Sequence, residues 1–465
     1  MLKAAIFSSL ALSYNFFLYN SREFSILVLE HSKMIVHLVQ SVLVFLLVSV
    51  VFSEARVPIP EDYAVSTNFV RWAAQVFHGP NVLHNSGAEV NADPEEKMNA
   101  TQLITSKGYP CEDHYVTTDD GFILNMQRIP HGLRNGNNTA PRPIVFLQHG
   151  LLGSSTQWIE NLANESLGFI LADAGFEVWL GNIRGNTYSR RHVKLKPSQE
   201  EFWAWSWDEM AKYDLPKMLT HALNVTNQTQ LYYVGHSQGT MMGFAEFSRN
   251  QELAGKVKTF FALAPVAYLG NMESPLKLLS NYVKQIELIY ALLGKGEFLP
   301  SSEFIRFLGQ ELCDKPVLDV FCENVLFLIA GFNYGNMNVS RIPVYVSHSP
   351  AGTSVQNMVH FAQLYTSGKF QMFDYGPQGN MLKYNQTAPP EYDAKNVTLP
   401  VALFSGGHDS LADPKDVAIL EGKLPNIAHK KVLPEWEHLD FIWGMDAARR
   451  CYSDIVQIIN SVEKL

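Results

Sequence analysis

Cysteine is scarce in this sequence of 465 residues, which contains four. No two of them form a Cys-x-x-Cys pair, so the spacing argues against a structural zinc site. Charge is also low, because only 17% of the residues are charged, the formal net charge is −9 and no run of lysine or arginine occurs. That balance argues against nucleic acid as a partner. With apolar residues at 47%, the chain can bury a large core, and disorder is not expected.

A long apolar run lies near the amino end. The segment MIVHLVQSVLVFLLVSVVFSEA begins at Met34, directly after Lys33, and closes with Ser53-Glu54-Ala55. A short positive region, an apolar run and a small-x-small pattern predict a secretory signal peptide at residues 34–55, with no stable transmembrane span after its removal. A membrane anchor is the alternative, because the run is nearly long enough to span a bilayer. Since a signal normally begins a chain, translation can start at Met34, and residues 1–33 are an uncertain upstream extension.

Acceptor triplets for N-linked glycans, Asn-x-Ser/Thr, recur along the whole chain. They lie at Asn99, Asn137, Asn164, Asn224, Asn227, Asn338, Asn385 and Asn396. Any one triplet arises easily by chance, but their density supports a glycosylating secretory route. The candidate glycosylation sites selected here are Asn99, Asn164 and Asn338.

The chain from about Asp93 onwards alternates apolar strand-like runs with helix-like ones, whereas residues 56–92 form a mixed arm or pro-segment. The strand-like runs are PIVFLQHG (143–150), GFEVWLGNIRG (175–185), LYYVGHS (231–237), VKTFFALAP (257–265) and LPVALFSGGHD (399–409). Near-continuous apolar strands alternating with helices predict an α/β fold whose mainly parallel sheet is covered on both faces.

The strand series stops between about residues 268 and 393. Two helix-patterned, very apolar segments replace it, SPLKLLSNYVKQIELIYALLG and SEFIRFLGQELCDKPVLDVFCENVLFLIAGF. Another helix candidate is AGTSVQNMVHFAQLYTSG (351–368), which ends at a glycine. A helical block inserted into an α/β sheet predicts a cap over its working edge. The expected domains are therefore a core at 93–267 and 394–465 and a cap at 268–393.

Two clusters in the core are interpreted as structural. SWDE predicts a capping box, in which Ser206 and Glu209 start the helix EMAKYDLPKMLTHAL. That role accounts for the neighbouring acids Asp208 and Glu209 better than acid–base chemistry does. The aromatic cluster Phe202, Trp203, Trp205 and Trp207 is assigned to the core rather than to a ligand cage.

The stretch VGHSQGT supplies a candidate nucleophile. Gly-x-Ser-x-Gly between a strand and a helix predicts a nucleophile elbow, in which Ser237 adopts a strained backbone and presents its hydroxyl above the sheet edge. Gly235 and Gly239 are required because strand and helix approach too closely for side chains. A small polar turn without chemistry is the alternative, and the strand–turn–helix context disfavours it.

A serine nucleophile needs a base and an acid that orients the base, in the chain order Ser, Asp, His for this arrangement. Asp409 follows a strand directly, and Asp413, four residues later, is its rival. His438 follows a short strand-like run, HKKVLP. His348 and His360 precede Asp409, and we interpret both as structural.

An oxyanion requires two backbone N–H donors, one from the residue after the nucleophile and one from a loop after an earlier strand. Gln238 is the first candidate donor, and Leu152 in HGLLGS is the second. The histidines flanking these turns, His149 and His236, are interpreted as hydrogen-bonding braces rather than general bases.

Assembled in order, these segments resemble the acid lipase family, which contains gastric lipase and lysosomal acid lipase. The similarity runs from about Asn99 to Val456 and includes GYPCEDHYVTTDDGFIL, LQHGLLGSS, ADAGFEVWLGNIRGNTYSRRH, FWAWSWDEMAKYDLP, SHSPAGTSVQNMVH and HLDFIWG. The resemblance implies an α/β-hydrolase fold without metal or cofactor. It also implies a triad of Ser237, Asp409 and His438, with the N–H groups of Leu152 and Gln238 as the oxyanion hole.

The resemblance further implies a lid near residues 299–330, closed by a disulfide between Cys313 and Cys322. Two buried free thiols are the alternative, and the pairing of Cys111 and Cys451 is left open. Ser410 stands where many relatives have tryptophan beside the acid, which predicts a different packing of the acyl site.

The expected activity is ester hydrolysis by a serine lipase at a lipid–water interface, with triacylglycerols and possibly cholesteryl esters as substrates. The expected location is the secretory pathway, either extracellular or lysosomal. A lipid-binding protein of the same fold without turnover is one alternative, and a short-chain carboxylesterase is another. The sequence does not determine the pH optimum or the oligomeric state.

Overall fold

The computed structural model describes residues 93–138, 140–274, 296–298, 330–331 and 333–464, all within one unit, Gly87–Leu465. The predicted upstream extension, signal peptide and arm lie outside the described residues. So do Cys313, Cys322 and nearly all of the predicted lid.

Eleven strands occur in the described part of the chain. They are β1 (Glu112–Thr117), β2 (Phe122–Ile129), β3 (Ile144–Gln148), β4 (Glu177–Gly181), β5 (Arg191–His192), β6 (Leu231–His236), β7 (Val257–Leu263), β8 (Glu297–Phe298), β9 (Thr353–Ser354), β10 (Val401–Gly406) and β11 (Ile427–Leu433).

Twelve α-helices accompany these strands in the same ranges. They are α1 (Ala100–Ser106), α2 (Leu167–Asp173), α3 (Trp207–Glu209), α4 (Leu215–Thr226), α5 (Gln238–Arg249), α6 (Gln251–Ala254), α7 (Ile342–His348), α8 (Val355–Ser367), α9 (Gly376–Tyr384), α10 (Pro414–Glu421), α11 (Asp440–Trp443) and α12 (Ser453–Glu463).

One large sheet holds most of the strands, in the order β1-β2-β4-β3-β6-β7-β10-β11, with β5 paired to β2. In this sheet the pairs β4–β3, β3–β6, β6–β7, β7–β10 and β10–β11 are parallel. The pairs β1–β2 and β2–β4 are antiparallel. Every residue of β3, β4, β6 and β10 is buried. Because successive side chains point to opposite faces of a sheet, both faces are covered. The predicted mainly parallel, doubly covered sheet is confirmed.

The antiparallel hairpin at one edge was not predicted from the sequence. Strand β1 alternates exposed and partly buried residues, which is the pattern of a strand with one solvated face. Its turn closes where Thr118 N–H donates to the carbonyl of Phe122, and Gly121 takes the left-handed conformation there, with a φ of 100°. The sequence signal is the Asp119-Asp120-Gly121 turn.

The helix predicted after Ser206 is interrupted. Ser206 and Glu209 form the expected capping box at α3, but residues Met210–Asp214 widen into a π turn before α4 begins. Pro216 explains the interruption: it has no N–H, and its ring would crowd the carbonyl four residues earlier. The continuous α-helix prediction was therefore wrong at this turn.

Two further predictions are confirmed, namely the burial of the aromatic cluster and the helix that ends at a glycine. The four aromatics at 202, 203, 205 and 207 are buried in the core. Helix α8 ends at Gly368 in the left-handed conformation, with a φ of 64°. All eight glycan-acceptor asparagines are described and none is buried, with Asn338 partly enclosed and the others exposed.

Two further findings concern cysteines and membrane segments. Cys111 and Cys451 are free thiols, the second of them buried, so they do not pair with each other. Within the ranges that the structure describes, no helix combines the length and apolarity required to cross a bilayer.

Candidate active site

Ser237 lies between β6 and α5, at the carboxyl edge of the parallel strands. Its backbone has a φ of 54° and a ψ of −120°, a strained combination for a residue with a side chain. A Cβ atom on Gly235 would lie 2.7 Å from the backbone of Gly239, and one on Gly239 would lie 2.4 Å from the carbonyl oxygen of Gln148. No side chain fits at either position, so the local geometry is that of a nucleophile elbow.

The acid and the base predicted for Ser237 meet in the structure. Nδ1 of His438 lies 2.8 Å from Oδ2 and 3.0 Å from Oδ1 of Asp409, and both side chains are buried. Oδ1 of Asp409 also accepts hydrogen bonds from the N–H groups of Leu411 (2.9 Å) and Ala412 (2.8 Å). These donors fix the orientation of the carboxylate.

The rival acid has a different role. Asp413 is the N-cap of α10, where its Oδ1 accepts from the N–H of Lys415 at 2.8 Å. A capping carboxylate satisfies the free N–H groups of a helix end, so the structure gives Asp413 a structural function. The carboxylate facing a histidine is Asp409.

His438 is held against the nucleophile elbow. Nε2 of His236, the residue before Ser237, donates to the carbonyl oxygen of His438 at 3.1 Å, and the two rings have centroids 5.0 Å apart. Burial and the nearby His438 lower the pKa of His236 well below its ordinary value. His236 is therefore a neutral brace between the two loops.

The loop after β3 carries the second predicted oxyanion donor. A Cβ atom on Gly150 would lie 3.0 Å from Cβ of Ser237, so this loop runs directly beside the nucleophile. Leu152 is buried and has a left-handed φ of 61°. Gln238 is the first residue of α5, and the first N–H groups of a helix have no intrahelical partner and lie at its positive end. One proposed donor therefore adjoins Ser237 in the chain, and the other lies two residues after Gly150 in the neighbouring loop.

His149 braces the same loop. Its Nδ1 donates to the carbonyl of Gly150 at 2.9 Å, and its Nε2 accepts from the N–H of Ile183 at 3.3 Å and from Nδ2 of Asn186 at 3.2 Å. Burial lowers the pKa of His149 to about 4. A neutral imidazole with both nitrogens occupied supports a loop and does not abstract protons.

The two other histidines considered from the sequence are also structural. His360 stacks on Trp207, and its ring nitrogens bond to Ser206 Oγ and the carbonyl of Gln371, each at 3.0 Å. His348 bonds to the carbonyl of Glu95 at 2.9 Å.

Several supporting residues were not identified from the sequence. Thr240 Oγ1 donates to the carbonyl of Ser237 at 2.6 Å and accepts from the N–H of Val266 at 2.8 Å. Asp440 accepts from the N–H of Glu437, beside the base, at 2.7 Å. Burial raises the pKa of Asp440 to about 6. The bond between Thr240 and Val266 joins segments 26 residues apart, whereas the other two bonds each span three residues, and no motif considered from the sequence signals any of them.

We examined whether side chains in the described part of the chain could bind a metal ion. Among those residues, no group of three or more His, Cys, Asp or Glu side chains is placed to hold a metal ion. The groups gathered at this edge of the sheet are a hydroxyl, an imidazole, a carboxylate and backbone N–H groups. That combination can carry out acyl transfer through a serine.

Comparison with known proteins agrees with this geometry. Residues 143–445 match the family model described as alpha/beta hydrolase fold, and residues 100–162 match the partial alpha/beta-hydrolase lipase region. Lysosomal acid lipase/cholesteryl ester hydrolase of Homo sapiens is 52% identical over 385 residues, covering 82% of this chain and 96% of that protein. Gastric triacylglycerol lipase of Rattus norvegicus is 53% identical over 368 residues, covering 79% of this chain and 93% of that protein.

Proposed function

This chain belongs to the acid lipase family of α/β-hydrolases, and we propose that it hydrolyses fatty-acid esters through an acyl-enzyme on Ser237. One observation carries the assignment of roles: the main-chain carbonyl of His438 is hydrogen-bonded to His236 in the elbow that bears Ser237, while the imidazole of His438 is oriented by Asp409. Nucleophile, base and orienting acid are thereby gathered at one edge of the sheet.

In the first step, Nε2 of His438 takes the proton of the Ser237 hydroxyl as Oγ attacks the ester carbonyl carbon. The carbonyl oxygen becomes an oxyanion, to which the N–H groups of Leu152 and Gln238 donate. The tetrahedral intermediate collapses, the bond to the alcohol oxygen breaks, and His438 returns its proton to the leaving alcohol. Asp409 keeps Nδ1 protonated, so that Nε2 is the basic nitrogen.

In the second step, His438 takes a proton from water, and the resulting hydroxide attacks the acyl-enzyme. Collapse of this second intermediate releases the fatty acid and returns the proton to Ser237 Oγ. The buried aspartate does not itself take up the proton in either step.

The substrates that we propose are triacylglycerols and cholesteryl esters. This choice is supported by the relatives, whose names state gastric triacylglycerol lipase and lysosomal acid lipase/cholesteryl ester hydrolase. The same relatives support a secretory-pathway location, either lysosomal or extracellular. We also propose glycans at Asn99, Asn164 and Asn338, a disulfide between Cys313 and Cys322, and a cap at 268–393 inserted between core segments 93–267 and 394–465.

The test compares secreted protein beginning at Met34 with its Ser237→Ala variant. Fatty-acid release is followed from emulsified long-chain triacylglycerol, from a cholesteryl ester and from a soluble short-chain ester, between about pH 4 and 8. Ser248→Ala is the matched control, because this buried serine follows Ser237 on helix α5 and its hydroxyl donates to the carbonyl of Ala245 at 2.8 Å.

We expect wild type and Ser248→Ala to release fatty acid and Ser237→Ala to release none. Turnover of the short-chain ester alone would identify a carboxylesterase. Folded wild type that binds lipid but releases nothing from any ester would refute catalysis and leave a lipid-binding protein. Residual activity of Ser237→Ala equal to wild type would refute the assigned nucleophile.

A further inference from the structure

One short segment, Ala351–Asn357, contacts both residues that we assign to the oxyanion hole. It lies within the range expected for the cap, about 200 residues from Leu152 and 120 from Gln238 along the chain. All seven of its residues are buried. The segment is therefore packed against the catalytic edge and is part of its framework.

The first contact is made to Leu152. The N–H of Ala351 donates to the carbonyl oxygen of Leu152 at 2.6 Å, and the carbonyl of Ala351 accepts from the N–H of Thr187 at 2.9 Å. Leu152 needs such support, because its left-handed backbone is strained for a residue with a Cβ atom. The bond fixes the Leu152 main chain beside Ser237.

The second contact is made to Gln238 by a side chain. Nδ2 of Asn357 donates to Oε1 of Gln238 at 2.7 Å and to Oγ1 of Thr353 at 3.0 Å. Oδ1 of Asn357 accepts from the N–H of Trp207 at 2.8 Å. Both amide side chains are fully buried, so unmade hydrogen bonds here are costly.

The direction of this hydrogen-bond chain follows from its chemistry. A backbone N–H can only donate, so Trp207 must face the oxygen of Asn357, and the amide nitrogen of Asn357 must then face Gln238. Gln238 consequently presents its oxygen to Asn357, and its Nε2 lies 3.4 Å from the sulfur of Met210. Of the two side-chain bonds that Gln238 makes to described residues, the one to Asn357 is the stronger, since thioether sulfur is a weak acceptor.

We propose that Asn357 is a positioning residue for the oxyanion hole, acting through the side chain of Gln238. This inference rests on the proposed function, because it assumes that the N–H of Gln238 meets the oxyanion. Holding Oε1 fixes the Cα–Cβ direction of Gln238, and with it the orientation of the adjacent N–H. An oxyanion donor is effective only when it is preorganised toward the charge that develops in the transition state.

The decisive experiment is a double-mutant cycle with Asn357→Leu, Gln238→Leu and the combined variant. Gln238→Leu removes the same bond from the other side and retains the backbone N–H and the bond between Asn357 and Trp207. The matched control is Gln363→Leu, a buried amide on the same helix whose bonds go to the main chain of Asp374. The measurements are kcat and KM with a soluble short-chain ester, inhibition by an alkylboronic acid, and thermal unfolding.

Each single variant at 357 or 238 should lower kcat by about 10- to 100-fold, less than the roughly 10²–10³-fold cost of deleting a donor. KM should change little, because the oxyanion forms only in the transition state. Boronic-acid affinity should fall in parallel with kcat, since its tetrahedral adduct with Ser237 uses the same donors. Asn357→Leu should cost less than about 3-fold in the Gln238→Leu background.

A purely structural role predicts a different pattern. In that case Asn357→Leu would lower the unfolding temperature as Gln363→Leu does, while kcat and boronic-acid affinity of the folded fraction would match wild type. Additive losses in the double variant would equally overturn the inference. If Asn357→Leu does not fold, unchanged kcat and boronic-acid affinity in Gln238→Leu overturn it. Failure of the proposed function is distinct, because it would appear without any change at 357 or 238, as no ester turnover by folded wild type or as wild-type turnover by Ser237→Ala.

Discussion

Nε2 of His236 lies 3.1 Å from the carbonyl oxygen of His438, so the residue that precedes the proposed nucleophile supports the residue that carries the proposed base. The two are separated by 202 positions in the chain. The hydrogen bond uses the main chain of His438 and leaves its imidazole to Asp409. The histidine beside the proposed nucleophile is therefore a structural brace, and His438 is the histidine to which we assign the role of base.

The strained backbone of Ser237 should lower the free energy of unfolding of the protein. Its left-handed φ is strained for any residue with a Cβ atom, and glycine relieves that strain. Ser237→Gly and Ser237→Ala should both be inactive, but the glycine variant should be more stable than the alanine variant by about 1 kcal/mol, which is the strain relieved less the entropy cost of glycine. Urea unfolding of the two variants checks this, and equal midpoints would contradict it.

Substitution at Asp409 and Asp413 separates the two candidate acids. Asp409→Asn retains an oxygen for the N–H groups of Leu411 and Ala412 but places an amide donor against Nδ1 of His438. The imidazole then shifts to the wrong tautomer, and kcat should fall by about 10⁴-fold, as for the comparable change in serine proteases. Asp413→Asn keeps a competent N-cap and should retain wild-type kcat. Steady-state kinetics on folded protein decides, and the reverse ranking would reassign the acid.

A buried carboxyl group outside the catalytic set predicts a pH-dependent stability. Glu160 is fully buried, and its Oε1 accepts from Nε1 of Trp443 at 2.6 Å. Burial raises the pKa of Glu160 to about 7, although the hydrogen bonds and the charge of Arg341 oppose the rise. The unfolded chain loses this proton near pH 4.5, so between about pH 4.5 and 7 the folded state holds more protons. Stability should therefore fall as the pH rises through that window.

The measurement for Glu160 is the unfolding free energy of wild type and Glu160→Gln at several pH values from 4.5 to 8. A single such group contributes a slope of at most about 1.4 kcal/mol per pH unit. Glu160→Gln cannot ionise, so its stability relative to wild type should improve as the pH rises. The exposed Glu200, changed to Gln, is the control and should run parallel to wild type. A constant difference between wild type and Glu160→Gln would show that Glu160 does not titrate in this range.

The candidate glycan site at Asn99 also caps a helix, and the two roles can be separated. Oδ1 of Asn99 accepts from the N–H of Gln102 at 2.9 Å, and Oε1 of Gln102 accepts from the N–H of Asn99 at 2.9 Å. Asn99→Asp abolishes the acceptor triplet but keeps a strong N-cap, whereas Asn99→Ala abolishes both. Both variants should lose one glycan by mass spectrometry, and only Asn99→Ala should lose about 1 kcal/mol of stability. Equal destabilisation would assign the effect to the glycan.

Parts of the fold with a strong local pattern were predictable from the sequence. The apolar runs predicted β3, β4, β6, β7 and β10, because a strand buried on both faces must be apolar throughout. Strand β1 has one solvated face, and β2, although largely buried, carries the polar residues Asn125, Gln127 and Arg128, so neither segment is an apolar run. The π turn before α4 depends on how a proline is accommodated within a longer helix, which the pattern of apolar residues does not record.

The sequence by itself determined the elbow and the chain order of its partners. Small residues are required wherever strand and helix meet closely, and this requirement is visible at Gly235 and Gly239. Its place directly after a strand favoured Asp409 over Asp413, and the tertiary structure adds that Asp409 faces His438 whereas Asp413 caps a helix. Only the tertiary structure brings Asn357 to the side chain of Gln238 and Ala351 to the carbonyl of Leu152. Hydrogen bonds between distant segments depend on how the chain folds back on itself, and local sequence patterns carry no record of that geometry.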